Sequence, residues 1–228
     1  MFRQGAHVPF NAGLLATIRA AFPNDEIAFY GDAAYIEVLK KQVGHPLAGS
    51  ISWNEIQTIS RGSKYTERFF RELKFFQYLL GKLHQDSISR LLLTSALPST
   101  VLAMKVARLF RAKKPTVQMV LHWVSGVIGK RYRHPIRRFQ DMKTSLTLLG
   151  NNGIQYLVLE EPIRDGVVKS LPWLVGKIES LEHPISPNEG TNEILDLDEP
   201  IRFGFLGTAL KNKGYPLFVD VANVITEK

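Results

Sequence analysis

Short apolar runs alternate with longer amphipathic patterns along this chain, and this alternation constrains the fold more than any other feature. The runs predict strands at Glu26–Tyr30, Ile51–Trp53, Arg90–Thr94, Thr116–Leu121, Leu146–Leu149, Gln155–Leu159 and Ile201–Leu206. Most are apolar at consecutive positions, which is typical of strands covered on both faces. Helices are predicted between them at Leu14–Phe22, Ala33–Gln42, Tyr65–Leu83 and Ser99–Phe110. Such alternation predicts an α/β fold with a doubly wound parallel sheet.

Composition narrows the class of protein further. Of 228 residues, 45% are hydrophobic and 22% are charged, which is ordinary for a globular protein and argues against disorder. The absence of cysteine excludes a disulfide scaffold, a thiolate metal site and a cysteine nucleophile. No HExxH, GxSxG or Walker pattern occurs, so the metalloprotease, serine hydrolase and P-loop classes have no support.

The net charge of +8 favours anionic partners. A basic cluster interleaved with Tyr132 and Phe139 suggests peripheral contact with an anionic membrane surface; nucleic acid and a plain solvated helix face are the alternatives. Its members are Lys130, Arg131, Arg133, Arg137 and Arg138. No apolar run reaches the length of a spanning helix, and the first residues lack a signal region. We therefore predict a cytoplasmic protein that can contact the inner face of the membrane.

Two boundaries divide the sequence. His183–Pro200 holds three prolines and several acids, so we predict a domain at residues 1–185, a linker at 186–200 and the start of a second domain at 201–228. Gly5–Asn11 is predicted to be a loop before a helix that starts near Ala12. Only four residues precede that loop, so we expect the sheet to lack its first strand. The chain stops soon after the second domain opens, so we expect that domain to be truncated.

Candidate site residues follow the predicted strands, because ligands bind beyond the carboxyl ends of parallel strands. Gly5–Gly13, Gly31–Asp32 and Thr94–Ser95 occupy such positions. His122 directly follows Thr116–Leu121 and can move protons near neutral pH, although a histidine hydrogen-bonded at a strand end is the plainer interpretation.

Other candidates lie in the first and last loops. His7 and Asn11 flank Pro9, where small and polar residues let a substrate approach a helix start, or where they form a simple cap. Near the chain's end, Gly207, Lys213 and Gly214 can accommodate phosphate, or form a basic turn. Three acidic residues follow the sixth predicted strand: Glu160, Glu161 and Asp165. Paired carboxylates can serve acid–base catalysis, although they more often cap a turn.

Several segments together resemble one family of bacterial glycosyltransferases. Gly-Ala-His-Val-Pro-Phe-Asn-Ala-Gly-Leu-Leu resembles its acceptor loop, and Val-Leu-His-Trp its strand-end histidine. Tyr-Leu-Val-Leu-Glu-Glu-Pro-Ile and Ile-Glu-Ser-Leu-Glu-His-Pro-Ile resemble the last strands of its first domain. Phe-Leu-Gly-Thr-Ala-Leu-Lys-Asn-Lys-Gly resembles the opening of its donor domain. The family has the GT-B architecture of two facing doubly wound, Rossmann-like domains, and includes retaining lipopolysaccharide and mannosyl transferases.

The resemblance implies transfer of a sugar from a nucleotide-sugar to a saccharide or lipid-linked acceptor, in surface polysaccharide or glycolipid synthesis, without metal or bound cofactor. It implies that His122 lies at the reacting centre, that His7 and Asn11 line the acceptor side, and that Gly207, Lys213 and Gly214 bind the donor diphosphate. Thr208 stands where the family often has arginine. The chain ends before the family's donor-binding carboxylates, so we expect this fragment alone to be inactive. A non-enzymatic interaction module, a degenerate gene product and a basic nucleic-acid-binding protein are the alternatives.

Overall fold

The computed structural model describes residues 7–56, 65–111, 115–121, 140–150, 152–182, 184, 216–217 and 219–220. The chain forms two compact units, residues 1–187 and residues 188–228. The first unit is an α/β unit with parallel strands. In the second, residues 216–217 and 219–220 are helical.

The described elements of the first unit alternate along the chain. The strands are β1 (Ile27–Gly31), β2 (Ile51–Glu55), β3 (Arg90–Leu93), β4 (Thr116–Val120), β5 (Ile154–Val158) and β6 (Ile178–Ser180). The helices are α1 (Val8–Ala21), α2 (Ala33–Val43), α3 (His45–Gly49), α4 (Tyr65–Gln85), α5 (Pro98–Leu109), α6 (Met142–Thr147) and α7 (Glu161–Ser170), with a 3₁₀ helix at Pro172–Leu174. Within the described residues, no helix is both long and apolar enough to cross a bilayer.

The strands form two parallel sheets. β1 pairs with β2, from Ile27 opposite Ile51 to Gly31 opposite Glu55. The larger sheet has the order β3-β4-β5-β6, and each of its pairs is parallel. The predicted α/β class with parallel strands is thus confirmed. Since the strands of each sheet point the same way, the loops that follow them gather at its carboxyl edge, which is the usual ligand-binding edge.

Helices cover both faces of the larger sheet. On one face, Val117, Met119 and Tyr156 belong to the main core cluster, together with residues of α4 and α5. On the other face, Val120 forms a smaller cluster with Phe10 and Leu14 of α1. Neighbouring strand residues therefore point to opposite faces, and both faces are apolar.

Most predicted elements agree with the observed ones to within two residues. This holds for the strands predicted to start at Glu26, Ile51, Arg90, Thr116 and Gln155, and for the helices predicted to start at Ala33, Tyr65 and Ser99. The predicted strand Ile201–Leu206 lies outside the described residues.

Two predictions are wrong. The loop Gly5–Asn11 and a helix start near Ala12 were expected, but α1 begins at Val8, with His7 as its N-cap and Pro9 in its first turn. Proline fits the first turn because it has no N–H to leave unpaired and its φ is already helical. The strand expected at Leu146–Leu149 is also wrong, because Leu146 lies in α6. A short apolar run does not by itself separate a strand from a buried helix turn.

Candidate functional site

The carboxyl end of β4 is the place where several candidate segments meet. The Ala96 N–H, just before α5, donates to the Val120 carbonyl at 3.0 Å. Phe10, in the first turn of α1, shares an apolar cluster with the same Val120. The starts of α1 and α5 therefore both lie beside the end of β4, and His122 follows β4 by two positions in the sequence.

The start of α1 is held by a buried amide. The Asn11 side chain is 5% exposed, and its Nδ2 donates to the Tyr35 hydroxyl of α2 at 2.6 Å. Its Oδ1 is buried and has no hydrogen-bond partner among the described residues. Burial raises the pKa of Tyr35, and the hydrogen bond from Asn11 partly offsets this. Asn11 thus faces the protein interior and positions α1 on α2, whereas the neighbouring His7 is exposed.

His7 has an unusual backbone for its residue type. Its φ of 72° lies in the left-handed region, where a side chain is strained, and its carbonyl accepts the Asn11 N–H at 2.9 Å. The turn places an exposed imidazole directly at a helix start, where backbone N–H groups have no partner within the helix. An imidazole beside such groups suits hydroxyl or anionic ligands.

The end of β1 has a structural role. The Asp32 carboxylate caps α2 by accepting the Ala34 N–H at 3.1 Å. A Cβ on Gly31 would lie 2.8 Å from Phe29 Cε1. The Phe29 ring is itself packed between the rings of Tyr35 and Trp53, so it has little room to move. Gly31 and Asp32, predicted as site residues from position alone, are explained by the turn from strand to helix.

A buried carboxylate, Glu72 of α4, lies beside α5 and was not predicted from the sequence. The Glu72 side chain of α4, in a residue only 5% exposed, accepts from Arg68 Nε at 3.1 Å and from Thr100 Oγ1 at 3.0 Å. Its other oxygen, Oε2, is buried without a hydrogen-bond partner among the described residues. The pKa of the nearby Tyr65 rises to about 12, mainly by burial, while a hydrogen bond with Ser145 lowers it and the Glu72 charge adds to the rise.

A signal for Glu72 was present in the sequence. Glu72 precedes Phe76 and Leu80 at spacings of four residues, so it falls on the apolar stripe that α4 presents to the core. A carboxylate on such a stripe needs a cation and a hydroxyl to balance its burial, and Arg68 and Thr100 supply them. Thr100, in the first turn of α5, thereby joins α5 to α4.

A second buried charge is Lys105 of α5. It is fully buried, and its ammonium donates to the carbonyls of Ser145, Leu146 and Leu148 at the end of α6. Burial lowers its pKa to about 8. Because these acceptors are backbone carbonyls that α6 leaves unpaired, Lys105 acts as a clamp on the end of that helix.

The acidic residues after β5 are exposed and serve the helix that follows. Glu161 lies in the first turn of α7, and Arg164 approaches it at 3.6 Å and Asp165 at 3.0 Å. The carboxylates are 71% and 68% exposed, respectively, so they resemble surface ion pairs more than an acid–base pair. The position of these carboxylates at the start of α7 therefore accounts for them without a role in catalysis.

Several predicted site residues lie outside the described residues: His122, Gly207, Lys213, Gly214 and the basic cluster Lys130, Arg131, Arg133, Arg137 and Arg138. Their assignments stay predictions. Within the described ranges, no group of three histidine or acidic residues is placed to hold a metal ion. Comparison with known proteins identified no match among family models, curated proteins or solved structures.

Proposed function

We propose that this chain is the acceptor-side part of a glycosyltransferase, which moves a sugar from a nucleotide-sugar to a saccharide or lipid-linked acceptor. The observation that carries the proposal is the meeting of two helix starts, α1 and α5, beside the end of β4. Helix starts of this kind can bind hydroxyls or phosphate oxygens. The resemblance to GT-B enzymes assigns acceptor binding to the same first loop.

In this proposal each residue has a defined task. His7 contacts the acceptor from the start of α1, and Asn11 positions that helix through Tyr35. His122 lies at the reacting centre and positions a sugar. Gly207, Lys213 and Gly214 neutralise the donor diphosphate in a second Rossmann-like domain, so that helix starts and basic side chains take the place of a metal. The protein works in the cytoplasm, and its basic cluster contacts the membrane when the acceptor is lipid-linked.

The test is a binding experiment with a matched pair of histidine variants. Amide chemical shifts of the chain are followed while UDP-glucose, GDP-mannose and simple mono- and disaccharides are added. We expect shifts in the first turn of α1 and around residues 94–100, and a loss of at least about tenfold in affinity in His7→Ala, as for removal of a contact worth 1.4 kcal/mol.

The control is His45→Ala. His45 is also exposed at a helix start, but α3 precedes β2 and so lies at the opposite, amino edge of its sheet. Its substitution should leave sugar binding unchanged. Equal losses in both variants, shifts confined to the amino edge, or no shifts with the whole panel would contradict the proposal.

A further inference from the structure

We propose that the amino edge of the larger sheet is a docking surface for a partner protein, and that it takes a segment with an aliphatic centre and a carboxylate at each end. β4, β5 and β6 are parallel neighbours, so the connections that lead into them meet at this edge. It lies opposite the carboxyl edge of the proposed sugar site, and the proposal does not depend on that function. We call six residues of these connections the amino-edge patch: Leu109, Phe110, Arg111, Leu149, Val175 and Lys177.

Four large apolar side chains of the amino-edge patch are open to solvent. Phe110 is 71% exposed and Val175 is 66% exposed, and about half of Leu109 and of Leu149 is exposed. They belong to three separate connections, so the parallel sheet, and not one amphipathic helix, brings them to the same edge. A group of large apolar side chains on one exposed surface marks an interaction site.

Two buried cations join these connections to one another. Arg108 donates from Nε to the Asn152 carbonyl at 3.1 Å and from Nη1 to the Pro115 carbonyl at 2.6 Å, so it links the segment before β5 to the segment before β4. Lys105, whose ammonium binds carbonyls at the end of α6, lies 6.0 Å from the ring centroid of Trp173. It therefore links the segment before β5 to the segment before β6. The exposed apolar residues thus lie next to positions that are held together from below.

Leu149 has an uncommon backbone conformation for a leucine. Its φ of 61° lies in the left-handed region, where a branched side chain is strained, and Gly150 and Gly153 follow with φ of 62° and 68°. A Cβ on Gly153 would lie 3.2 Å from Arg108 Nη2, so the glycine lets the guanidinium approach this turn. Such strain persists where the surrounding structure imposes it, and it is common at binding sites. A half-exposed leucine in this conformation therefore agrees with a contact to a partner.

The charge of the connections selects an anionic partner. In the sequence, the stretches 105–116, 142–153 and 166–178 hold lysines and arginines but no aspartate or glutamate. Within the described part of the chain, Arg111 and Lys177 form no ion pair. Arg111 precedes β4 and Lys177 precedes β6, so the two cations lie at opposite ends of the patch. A surface of one charge sign favours partners of the opposite sign.

The spacing of the strands sets the length of the segment. Neighbouring strands are about 4.8 Å apart, so the apolar positions before β4, β5 and β6 span about 10 Å. An extended segment places alternate side chains on one side at intervals of about 6.6 Å, so two or three aliphatic residues cover this span. A carboxylate at one end then meets Arg111, which binds the Gln77 carbonyl at 2.7 Å through Nη2. A carboxylate at the other end meets Lys177, whose Nζ lies 5.6 Å from the Trp173 ring centroid.

The same observations weigh against three other occupants. Two copies joined symmetrically through this edge would bring like charges together, which is costly. Single-stranded nucleic acid stacks on aromatic rings, whereas the exposed apolar side chains of the patch are aliphatic except for Phe110. Insertion into a bilayer buries an apolar surface about 5–10 Å deep, whereas Leu109 and Leu149 keep about half of their surface packed against the protein. A shallow, basic and aliphatic surface suits an acidic protein segment.

The experiment adds the synthetic peptide Glu-Glu-Leu-Ser-Ile-Ser-Leu-Glu-Glu, with blocked ends, to the full chain while amide chemical shifts are recorded. The control peptide has glutamine in place of every glutamate, so it keeps the aliphatic residues and loses the charge. We expect shifts in residues 109–111, 149–153 and 175–177, and binding of the glutamine peptide that is weaker by at least about tenfold. Binding of the acidic peptide should weaken as salt is added.

Variants test the protein side of the contact. Lys177→Glu reverses the charge at one end of the patch, and Phe110→Ser removes its most exposed apolar side chain. Each should weaken binding of the acidic peptide by at least about fivefold. The matched controls are Lys41→Glu and Val38→Ser, at exposed positions of α2, and they should bind the peptide as the unchanged chain does. Should Phe110→Ser lower the melting temperature, Lys177→Glu gives the readout.

Several outcomes overturn the proposal. One is equal binding of the two peptides, and another is an equal loss in the amino-edge and α2 variants. A third is no binding of the acidic peptide at about 1 mM. If vesicles of phosphatidylcholine and phosphatidylserine at about 7:3 bind the chain through Phe110 and Lys177 while the peptide does not, the occupant is a membrane. If the chain alone dimerises with shifts at this edge, the occupant is a second copy.

Discussion

At the level of single residues, the sequence can show which charged side chains are buried, but only the structure shows which groups bind them. Glu72 and Lys105 lie in helices whose apolar spacing is plain, but nothing local names their partners. Thr100 is 28 residues from Glu72, and Ser145 is 40 residues from Lys105. Such pairs arise only when α4, α5 and α6 pack together. A periodic pattern can therefore flag a polar residue on an apolar face without identifying what balances it.

Lys105 leads to a prediction on pH dependence. Burial lowers its pKa in the folded chain to about 8, against 10.5 in the unfolded chain. Below pH 8 both states are charged, and the cost of burying the charge is fully present. Between the two pKa values the unfolded chain binds more protons, so the free energy of unfolding should rise with pH. From pH 8 to 9.5 we expect a rise of about 1.5 kcal/mol by urea denaturation.

The variant Lys105→Met isolates this effect. It should be less stable at pH 7, because three carbonyls lose their donor, and it should lack the rise above pH 8. Lys41→Met, at an exposed position of α2, should keep the rise. If the Lys105 and Lys41 variants show the same rise of stability with pH, that rise comes from other ionisable groups and not from Lys105. The range stops at pH 9.5 because unfolded tyrosines ionise near pH 10.

At the level of elements, runs of mostly apolar residues located β3, β4 and β5 well, because strands covered on both faces leave few polar positions. The errors have physical causes. Pro9 suggested a loop, but proline is favoured in the first turn of a helix. Leu146–Leu149 suggested a strand, although Asp141, which accepts the Lys143 N–H at 3.2 Å, is a helix-start signal just upstream. β6 was expected only from family resemblance, because three residues are too few for a pattern.

The junction of α1 and α2 provides a prediction at this level. Tyr35→Phe removes the acceptor of the buried Asn11 amide, so an unpaired donor stays in the interior. We expect a loss of about 1–3 kcal/mol in the free energy of unfolding, measured by urea denaturation.

A double-mutant cycle tests whether the loss belongs to the pair. Once Asn11→Ala is present, Tyr35→Phe should cost at least about 0.5 kcal/mol less than it does alone. Tyr78→Phe is the matched control, since Tyr78 is 64% exposed on α4, and it should change stability by less than about 0.5 kcal/mol. Additive effects of the two substitutions would mean that the hydrogen bond does not couple α1 to α2.

At the level of the whole molecule, the sequence predicts the class of fold. Parallel strands imply a carboxyl edge, and the first turn of α1, through Phe10, and Ala96, just before α5, do lie beside the end of β4. The sequence does not predict that Asn11 is buried, or that Gly31 and Asp32 serve a turn, because both depend on how α2 packs on α1 and β1. The assignments of His122, Lys213 and the basic cluster stay predictions.

The division of the chain into two units leads to a last prediction. The buried residues of the main core cluster that the structure describes, from Phe76 to Ile178, lie within residues 1–187. A chain that ends at Pro187 should therefore keep the melting temperature and the cooperative unfolding of the full chain, measured by circular dichroism. The control ends at Leu159, which removes α7 and β6. It loses the pairing of β6 with β5 and exposes the core around Val167 and Leu174, which are 1% and 0% exposed. Each such side chain contributes about 1.5–3 kcal/mol, so this control should unfold or melt far lower. A fall for the Pro187 chain as large as that for the Leu159 chain would show that residues 188–228 belong to the same cooperative unit.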